Sequence, residues 1–415
     1  MLARTLAFSP DCDDNFFTEI PAAPAVFLLR GDGEPYVSKT ASLRRRLQRL
    51  LGQPAEHSKR LNLRERIREI EFTLTGSDFA SQFLLYQLLR EAFPKTYAAR
   101  LRLRPAPLVK LHLENEYPRA SVTTRQGRII QKDFGEPGAS PVHVDATSTG
   151  EDARAFTHRK GNLYYGPFSS RAAAEKFASD ALDFFKMRRC VDDLHPDPSF
   201  PGCVYSEMKM CLAPCYKGCT DEEYKDEVFR VQAFFDTSGQ SLSRELAEQR
   251  ERSSAQLAFE EAAGIHTKLE NLKHLLSQLP EIVQPIDRLQ AIIVQPSAEG
   301  VGVELFQFAN SALRGPILFA IEQSGEPQSM ESRLQSAISM FPASAVYSTS
   351  ERTEHLAILK RWYYRSQRNG EIFFADEKGA WPLRRIVRAI GRVYKGDKSE
   401  EPVTLSTTPG PEPPS

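Results

Sequence analysis

Five of the six cysteines in this 415-residue chain lie close together, and their spacing is the clearest sign of chemistry in the sequence. From Cys190 to Cys219 the pattern is C-x12-C-x7-C-x3-C-x3-C, in a proline-rich segment. Thiolates held on an irregular loop can converge on Zn²⁺ or an iron–sulfur cluster, and the spacing does not choose between them. His195 is either a further ligand or an exposed loop residue. The alternative for the whole group is a set of buried free thiols.

Basic residues are concentrated near the N-terminus, although the chain has no net charge. Residues 39–110 contain sixteen Lys or Arg against six Asp or Glu, whereas residues 220–273 contain seven against twelve. The first stretch suits a polyanion, unless its arginines form only a solvated helical surface. Arg361-Trp-Tyr-Tyr-Arg365 either stacks on nucleic acid or forms an amphipathic helix that buries its aromatic rings.

The composition indicates a folded protein of two or three domains, with 41% hydrophobic and 26% charged residues. No run of about 18 apolar residues occurs, and residues 1–14 lack the apolar core of a signal peptide. We therefore expect a cytoplasmic protein without a membrane span. Free or metal-bound thiols fit that reducing compartment.

The residues around the basic stretch predict a small ββαβα domain over 16–100. Two strands flank the turn at Gly31-Asp-Gly33, and a basic amphipathic helix follows. A third strand at 70–75 leads through Gly76 and Ser77 into a helix at about 79–91. This order places the arginines of the first helix beside the strand pair.

The rest of the chain divides into a cysteine-rich segment, a helical region and a C-terminal domain. Residues 101–219 are expected to contain two linker strands, a loop or linker at 135–161, and the cysteine-rich region. Residues 220–280 predict an antiparallel helical hairpin. Residues 285–395 alternate between strand and helix patterns, which favours an α/β domain of unknown type. The tail 396–415 is expected to be disordered. The fold class is thus α+β multidomain.

The order of short motifs along the chain resembles one family. These motifs are Tyr36-Val-Ser-Lys39 with a helical Arg46, Tyr165-Gly-Pro-Phe168, Cys211-Leu-Ala-Pro-Cys215, and Phe259-Glu-Glu-Ala-Ala263. From about Pro21 to about Leu276 the chain is similar to the N-terminal half of the UvrC family of bacterial excinuclease ABC proteins. The resemblance implies a GIY-YIG-like nuclease domain, a cysteine-rich region and a UVR hairpin. The family's C-terminal RNase H-like nuclease half is not found.

The resemblance implies catalytic roles for three residues. Tyr36 stands where the family's tyrosine takes the proton of the nucleophilic water, and Lys39 and Arg46 match basic residues that would bind the scissile phosphate. Lys39 and Arg46 are seven residues apart, about two turns if both lie on one helix. Arg44, Arg45 and Arg49 would extend the DNA-binding surface.

Two substitutions depart from the family pattern and bear on activity. The first signature tyrosine is Phe27, and the position of the Mg²⁺-binding glutamate is Leu85. A hard divalent cation needs oxygen ligands, which leucine does not provide. We hypothesise that the domain retains a DNA-facing surface and has lost efficient incision. The alternative is that Asp78 or a substrate phosphate completes the site.

The resemblance also assigns a metal centre and a partner. It implies Cys190, Cys203, Cys211 and Cys215 as ligands, with Zn²⁺ and an iron–sulfur cluster both open. It implies binding of a UvrB-like protein by Phe259, Glu260, Glu261, Ala262 and Ala263, where Phe and Ala would pack the two helices together. The alternative is a helix pair used only for packing. The expected function is DNA incision in nucleotide excision repair, or an inactive DNA- and UvrB-binding adaptor.

Overall fold

A computed structural model describes residues 2–53, 61–126, 161–322, 328–342, 346–376 and 378–396. These residues form an α+β structure with three antiparallel four-stranded sheets and eleven α-helices. Most of the expected linker at 135–161 and the tail beyond Gly396 lie outside the described residues. Within the described ranges, no helix combines the length and apolar character that a membrane crossing requires.

The N-terminal sheet has the strand order β1-β4-β2-β3. Its strands and the two helices that cover it are β1 (Arg4–Ala7), β2 (Ala25–Gly31), β3 (Tyr36–Thr40), β4 (Ile67–Leu74), α1 (Leu43–Leu51) and α2 (Asp78–Ala92). The β2, β3, α1, β4, α2 order agrees with the expected ββαβα unit. The edge strand β1 was not expected, because four residues carry too little periodicity to show.

The two faces of this sheet are covered by different helices. Side chains alternate along β2, so Phe27 and Leu29 pack in the cluster that contains the buried leucines of α1. Val26 and Leu28 point the other way and pack with Leu88 of α2. A residue of β2 or β3 therefore faces either α1 or α2, but not both.

The second sheet holds the middle of the chain and has the order β6-β5-β7-β8. Its elements and adjoining helices are α3 (Tyr97–Leu101), β5 (Leu108–Leu111), β6 (Ala120–Thr123), β7 (Leu163–Gly166), α4 (Arg171–Leu182), α5 (Val204–Glu207) and β8 (Gln284–Pro285). Tyr165 is buried and stacks on Phe177 of α4, with ring centroids 5.6 Å apart. This aromatic core fixes the segment that leads to the cysteines.

Three helices follow the cysteine-rich segment: α6 (Asp221–Asp236), α7 (Gln240–Ala255) and α8 (Phe259–Ser277). Thr220 and Glu223 form a capping box that starts α6. The helical pattern over 242–276 folds as the two packed helices α7 and α8, separated at residues 256–258. Leu257 has a φ of 61° at this turn.

The C-terminal sheet has the order β11-β10-β9-β12. Its elements are β9 (Ala291–Pro296), β10 (Gly302–Ala309), β11 (Ala312–Ala320), α9 (Met330–Ser339), α10 (Thr349–Tyr363), β12 (Glu371–Phe374) and α11 (Leu383–Lys395). The mixture of strands and helices agrees with the expected C-terminal domain, and every strand pair in its sheet is antiparallel. Asn310 and Ser311 take φ values of 53° and 60° and close the β10–β11 hairpin in two residues, which a parallel pair cannot use.

Helix α2 joins the N-terminal and C-terminal sheets through aromatic contacts. Phe79 lies 5.1 Å from both Phe306 of β10 and Trp362 of α10, measured between ring centroids. Phe83 also contacts Phe306, at 6.2 Å. These residues belong to one buried cluster that continues into the middle sheet. The side of α2 that faces away from the N-terminal sheet therefore packs into the core of the C-terminal part.

Candidate functional site

Tyr36 and Arg46 are brought together on the α1 side of the N-terminal sheet. Tyr36 lies on the edge strand β3 opposite Leu29, and its ring packs against the cluster that contains Phe27. Arg46 Nη2 donates a hydrogen bond of 2.7 Å to the Tyr36 phenol oxygen. Arg46 Nε is buried without a hydrogen-bond partner. The pair thus offers an orphaned guanidinium N–H and a phenol beside the sheet edge.

Lys39 is on the other face of the sheet. Tyr36 and Lys39 are three residues apart in an extended strand, so their side chains point in opposite directions. Lys39 Nζ lies 2.6 Å from Asp78 Oδ1 on α2. Lys39 and Arg46 do not share one helix, because Lys39 belongs to β3 and Arg46 to α1. The structure therefore joins Tyr36 to Arg46, and Lys39 to Asp78.

Asp78 is the first residue of α2 and uses both carboxylate oxygens. Ser77 caps the helix by accepting a hydrogen bond from the backbone of Ala80, which fixes where Asp78 stands. Asp78 Oδ2 lies 2.5 Å from Arg365 Nη1, just beyond α10. Burial acts to raise the pKa of Asp78, but the hydrogen bond and charge of Lys39, with the charge of Arg365, lower it below its usual range. The carboxylate is therefore ionised and paired at neutral pH.

Burial shifts the pKa of Lys39 in the opposite direction from that of Asp78, because it disfavours the charged form of each group. It lowers the pKa of Lys39, and the hydrogen bond to Asp78 only partly offsets this effect. The charges of Arg361 and Arg365 lower the pKa of Lys39 further. Three cations therefore surround one carboxylate.

The residues present do not fit the Mg²⁺ site that the resemblance implies. Leu85 packs with Val37 in the apolar cluster between α2 and the sheet, and offers no oxygen. Phe27 is fully buried, with its ring centroid 6.1 Å from that of Tyr36, and lacks the hydroxyl. Asp78 already pairs with two cations. Leu85 also lies on the face of the sheet opposite Tyr36.

The other arginines of α1 differ in how their charges are used. Arg44 donates to the carbonyl oxygens of Thr18 and Ile20, so it ties the preceding segment to the helix. Arg45 and Arg49 are exposed and lie one turn apart. Two of the three residues expected to contact DNA are thus presented to solvent.

The cysteines of the expected metal centre lie on loops and short helices between α4 and α6. All five thiols from Cys190 to Cys219 are partly buried. Arg188 Nη1 donates to Cys190 Sγ at 3.3 Å, and the Ala213 amide donates to Cys211 Sγ at 3.2 Å. Burial raises the pKa of Cys211 to about 11, and the charges of neighbouring thiols add to the effect.

The ligand types in this cluster favour a metal site, whereas the arrangement of the side chains does not. Four soft sulfurs are the ligands that Zn²⁺ and iron–sulfur clusters take. Over the described ranges, however, no group of three or more His, Cys, Asp or Glu side chains is arranged to hold a metal ion.

The tip of the α7–α8 hairpin differs from the expected packing. Phe259 was expected to pack between the helices, but it is 65% exposed at the first position of α8. The adjacent turn residue Leu257 is 71% exposed. Glu260, Glu261 and Ala263 are also exposed, and Ala262 is partly buried. Phe259 is exposed because it lies beside the turn between the helices. The two helices pack together farther from this turn, where Leu269, Leu272 and Leu275 of α8 are buried.

Sequence reasoning missed Arg361 and Arg365 as part of the N-terminal site. Trp362 is buried against Phe79, which favours the amphipathic-helix interpretation of this segment. The two arginines are nevertheless exposed on the side that faces Lys39. No local sequence pattern indicates the contact between Arg365 and Asp78, because these residues are 287 positions apart in the chain. Only one feature of the sequence indicated a role for these arginines, the alternation of polar and aromatic residues over 361–365.

Together these features define a class of α+β protein in which a basic sheet domain, a cysteine-rich segment and a helical hairpin follow one another. The family model described as "UvrC/Cho excinuclease, middle domain" matches residues 142–234. UvrABC system protein C of Rickettsia akari is 26% identical over 274 residues, which are 66% of this chain and 37% of that protein. The protein of the same name from Ruminiclostridium cellulolyticum is 23% identical over 289 residues, which are 69% of this chain and 42% of that protein.

The chain is thus similar to UvrC proteins over about two thirds of its length. The matched region spans between about one third and two fifths of the length of these relatives. No solved structure matches the chain.

Proposed function

We propose that this protein is a UvrC-like component of nucleotide excision repair that binds DNA and a UvrB-like partner without efficient incision. The observation that carries the proposal is the pairing of both Asp78 oxygens with Lys39 and Arg365, while Leu85 provides no oxygen. Cleavage of a phosphodiester by a Mg²⁺-dependent site needs oxygen ligands for the ion. The N-terminal site is left with cationic and phenolic groups, which suit phosphate binding.

The Tyr36–Arg46 pair supports binding of a backbone phosphate. Arg46 donates to the phenol oxygen, and the phenol retains its own proton for an acceptor such as a phosphate oxygen. Arg45 and Arg49 add exposed positive charge on the same helix.

A nuclease assay tests the absence of incision. Purified protein with nicked or damaged duplex, UvrA, UvrB and Mg²⁺ should bind the complex and leave the strand uncut. Leu85→Glu, compared with Leu85→Gln, should not restore cleavage, because residue 85 and Tyr36 lie on opposite faces of the sheet. The second candidate function, an active endonuclease, is favoured by the intact Tyr36–Arg46 hydrogen bond. Incision by the wild type that disappears in Tyr36→Phe would establish this second function.

The exposed hairpin tip supports the proposal of a UvrB-like partner. Leu257 and Phe259 form an apolar tip beside the acidic pair Glu260 and Glu261. Exposed aromatic residues are typical anchors of protein interfaces. Phe259→Asp should therefore abolish retention of UvrB in a pull-down without reducing the yield of folded protein. Val301→Asp, at an apolar residue 49% exposed elsewhere, is the matched control. Equal retention by both variants would favour a hairpin used only for packing.

We also propose that Cys190, Cys203, Cys211 and Cys215 bind Zn²⁺ or an iron–sulfur cluster. Support comes from the four soft donors, which lie on neighbouring loops and short helices between α4 and α6. Protein purified without oxygen should contain stoichiometric metal, and visible absorption would distinguish the cluster from Zn²⁺. Cys211→Ser should lose the metal, whereas Cys12→Ser should retain it. A folded wild-type protein without metal would reject the centre.

A further inference from the structure

A cluster of charges joins the N-terminal sheet to the C-terminal part of the chain. Lys39 Nζ and Arg365 Nη1 lie 2.6 and 2.5 Å from the two oxygens of Asp78. Arg361 lies one turn before Arg365 and acts electrostatically on both Lys39 and Asp78. Within the described part of the chain, Arg361 has no ion-pair partner. The cluster therefore carries three positive charges against one negative charge.

This cluster is open to a ligand. The side chains of Asp78 and Arg365 are 44% and 41% exposed, and that of Lys39 is 24% exposed. Arg361 is also exposed. Ion pairs with this degree of exposure contribute little to stability, so an external anion can compete for the cations. The excess positive charge remains after Asp78 is counted.

The positions of these cations are fixed by the fold. Asp78 starts α2 directly after its cap, and Lys39 is held by the pairing of β3 with β2. Arg361 and Arg365 flank the buried Trp362, which packs on Phe79 of the same helix α2. Cations from two distant parts of the sequence are thus held at one place before any ligand arrives.

We infer that Lys39, Arg361 and Arg365 form a binding site for a backbone phosphate of nucleic acid, which the Asp78 carboxylate occupies in the free protein. A carboxylate that bridges two cations presents two oxygens as a phosphodiester does. Phosphate binding displaces this internal anion and engages the third cation. The inference rests on the proposed DNA binding and extends it to the C-terminal part of the chain.

The test measures binding of a fluorescent DNA duplex by anisotropy over a range of KCl concentrations. Each phosphate contact contributes about 0.9 to the slope of log affinity against log salt. Arg365→Gln should weaken binding and reduce the slope by about 1, whereas Arg365→Lys should retain most of the slope. Asp78→Asn should tighten binding roughly fivefold, since it removes a negative charge beside the phosphate. Arg171→Gln, which removes an exposed arginine paired with Glu175 on α4, is the control.

The outcomes separate this inference from the proposed function. Wild-type protein that does not bind the duplex would overturn both. Binding weakened by Arg45→Gln but unchanged by Arg365→Gln would overturn only the site described here. An Asp78→Asn variant that binds no more tightly would show that Asp78 is a structural clamp and not an internal competitor. Inorganic phosphate that binds the wild type but not Arg365→Gln, while DNA affinity is the same in both proteins, would assign the site to free phosphate, against the inference.

Discussion

The chemistry of single residues in this protein depends on which face of a sheet they occupy. Tyr36 and Lys39 are three positions apart in β3, and that odd spacing sends one toward Arg46 and the other toward Asp78. The sequence motif alone suggests that Tyr36, Lys39 and Arg46 converge on one site. Strand alternation divides them into a Tyr36–Arg46 pair and a Lys39–Asp78 pair on opposite faces.

His355 provides a residue-scale prediction about pH. It is 2% exposed on α10, and its Nδ1 accepts a hydrogen bond of 3.2 Å from the amide of Leu313. Burial lowers the pKa of His355 to about 4, from 6.5 in the unfolded chain. Between these values the unfolded state binds more protons, so stability falls as the pH falls through 6.5 towards 4. The loss from this residue between pH 7 and pH 5 is about 2 kcal/mol.

Urea denaturation at the two pH values measures this effect. His355→Asn retains a hydrogen-bond acceptor for Leu313 but removes the ionisable ring. The variant should be less stable at pH 7 and should lose less stability on acidification than the wild type. Parallel pH dependences of the two proteins would contradict the assignment.

At the scale of elements, the hairpin predicts opposite effects of two glycine substitutions. Gly264 lies inside α8, and a Cβ atom there would meet no atom within 4 Å. Gly264→Ala should therefore raise the free energy of unfolding by about 0.5–1 kcal/mol, because glycine is a poor helix former. Gly239 has a φ of 89°, and a Cβ atom there would lie 2.6 Å from Leu276. Gly239→Ala should destabilise the protein. Thermal unfolding of both variants checks the contrast, and equal shifts would contradict it.

The helices and long strands were predictable because their signal is local. The leucines of α1 recur at helical spacing in nine residues, and the cap at Ser77 marks the start of α2. The four-residue strands β1 and β12 carry too little periodicity to show in the sequence. The exposure of Phe259 was missed because its motif does not reveal where the turn between the helices falls.

At the scale of the whole molecule, the region that resembles the UvrC family and the C-terminal part share one buried core. The sequence divides them near residue 276, where the resemblance ends, and no local pattern joins the two sides. Phe79 and Phe83 of α2 nevertheless pack on Phe306 and Trp362. Packing between distant segments depends on three-dimensional complementarity, which a single sequence does not display. The Asp78–Arg365 ion pair is the polar edge of the same contact.

This shared core predicts that a substitution in the N-terminal region destabilises the C-terminal part. Phe79→Ala removes a ring that is 2% exposed and contacts both Phe306 and Trp362, so it should cost about 3–5 kcal/mol. Trp362 fluorescence in urea, measured in a Trp381→Phe background, reports directly on this junction. Its midpoint should fall markedly in Phe79→Ala and less in Leu47→Ala, because Leu47 packs in the separate cluster beneath α1. An unchanged Trp362 transition in Phe79→Ala would mean that the two parts unfold independently. In that case the phosphate site proposed across them would not be held in place before DNA binds.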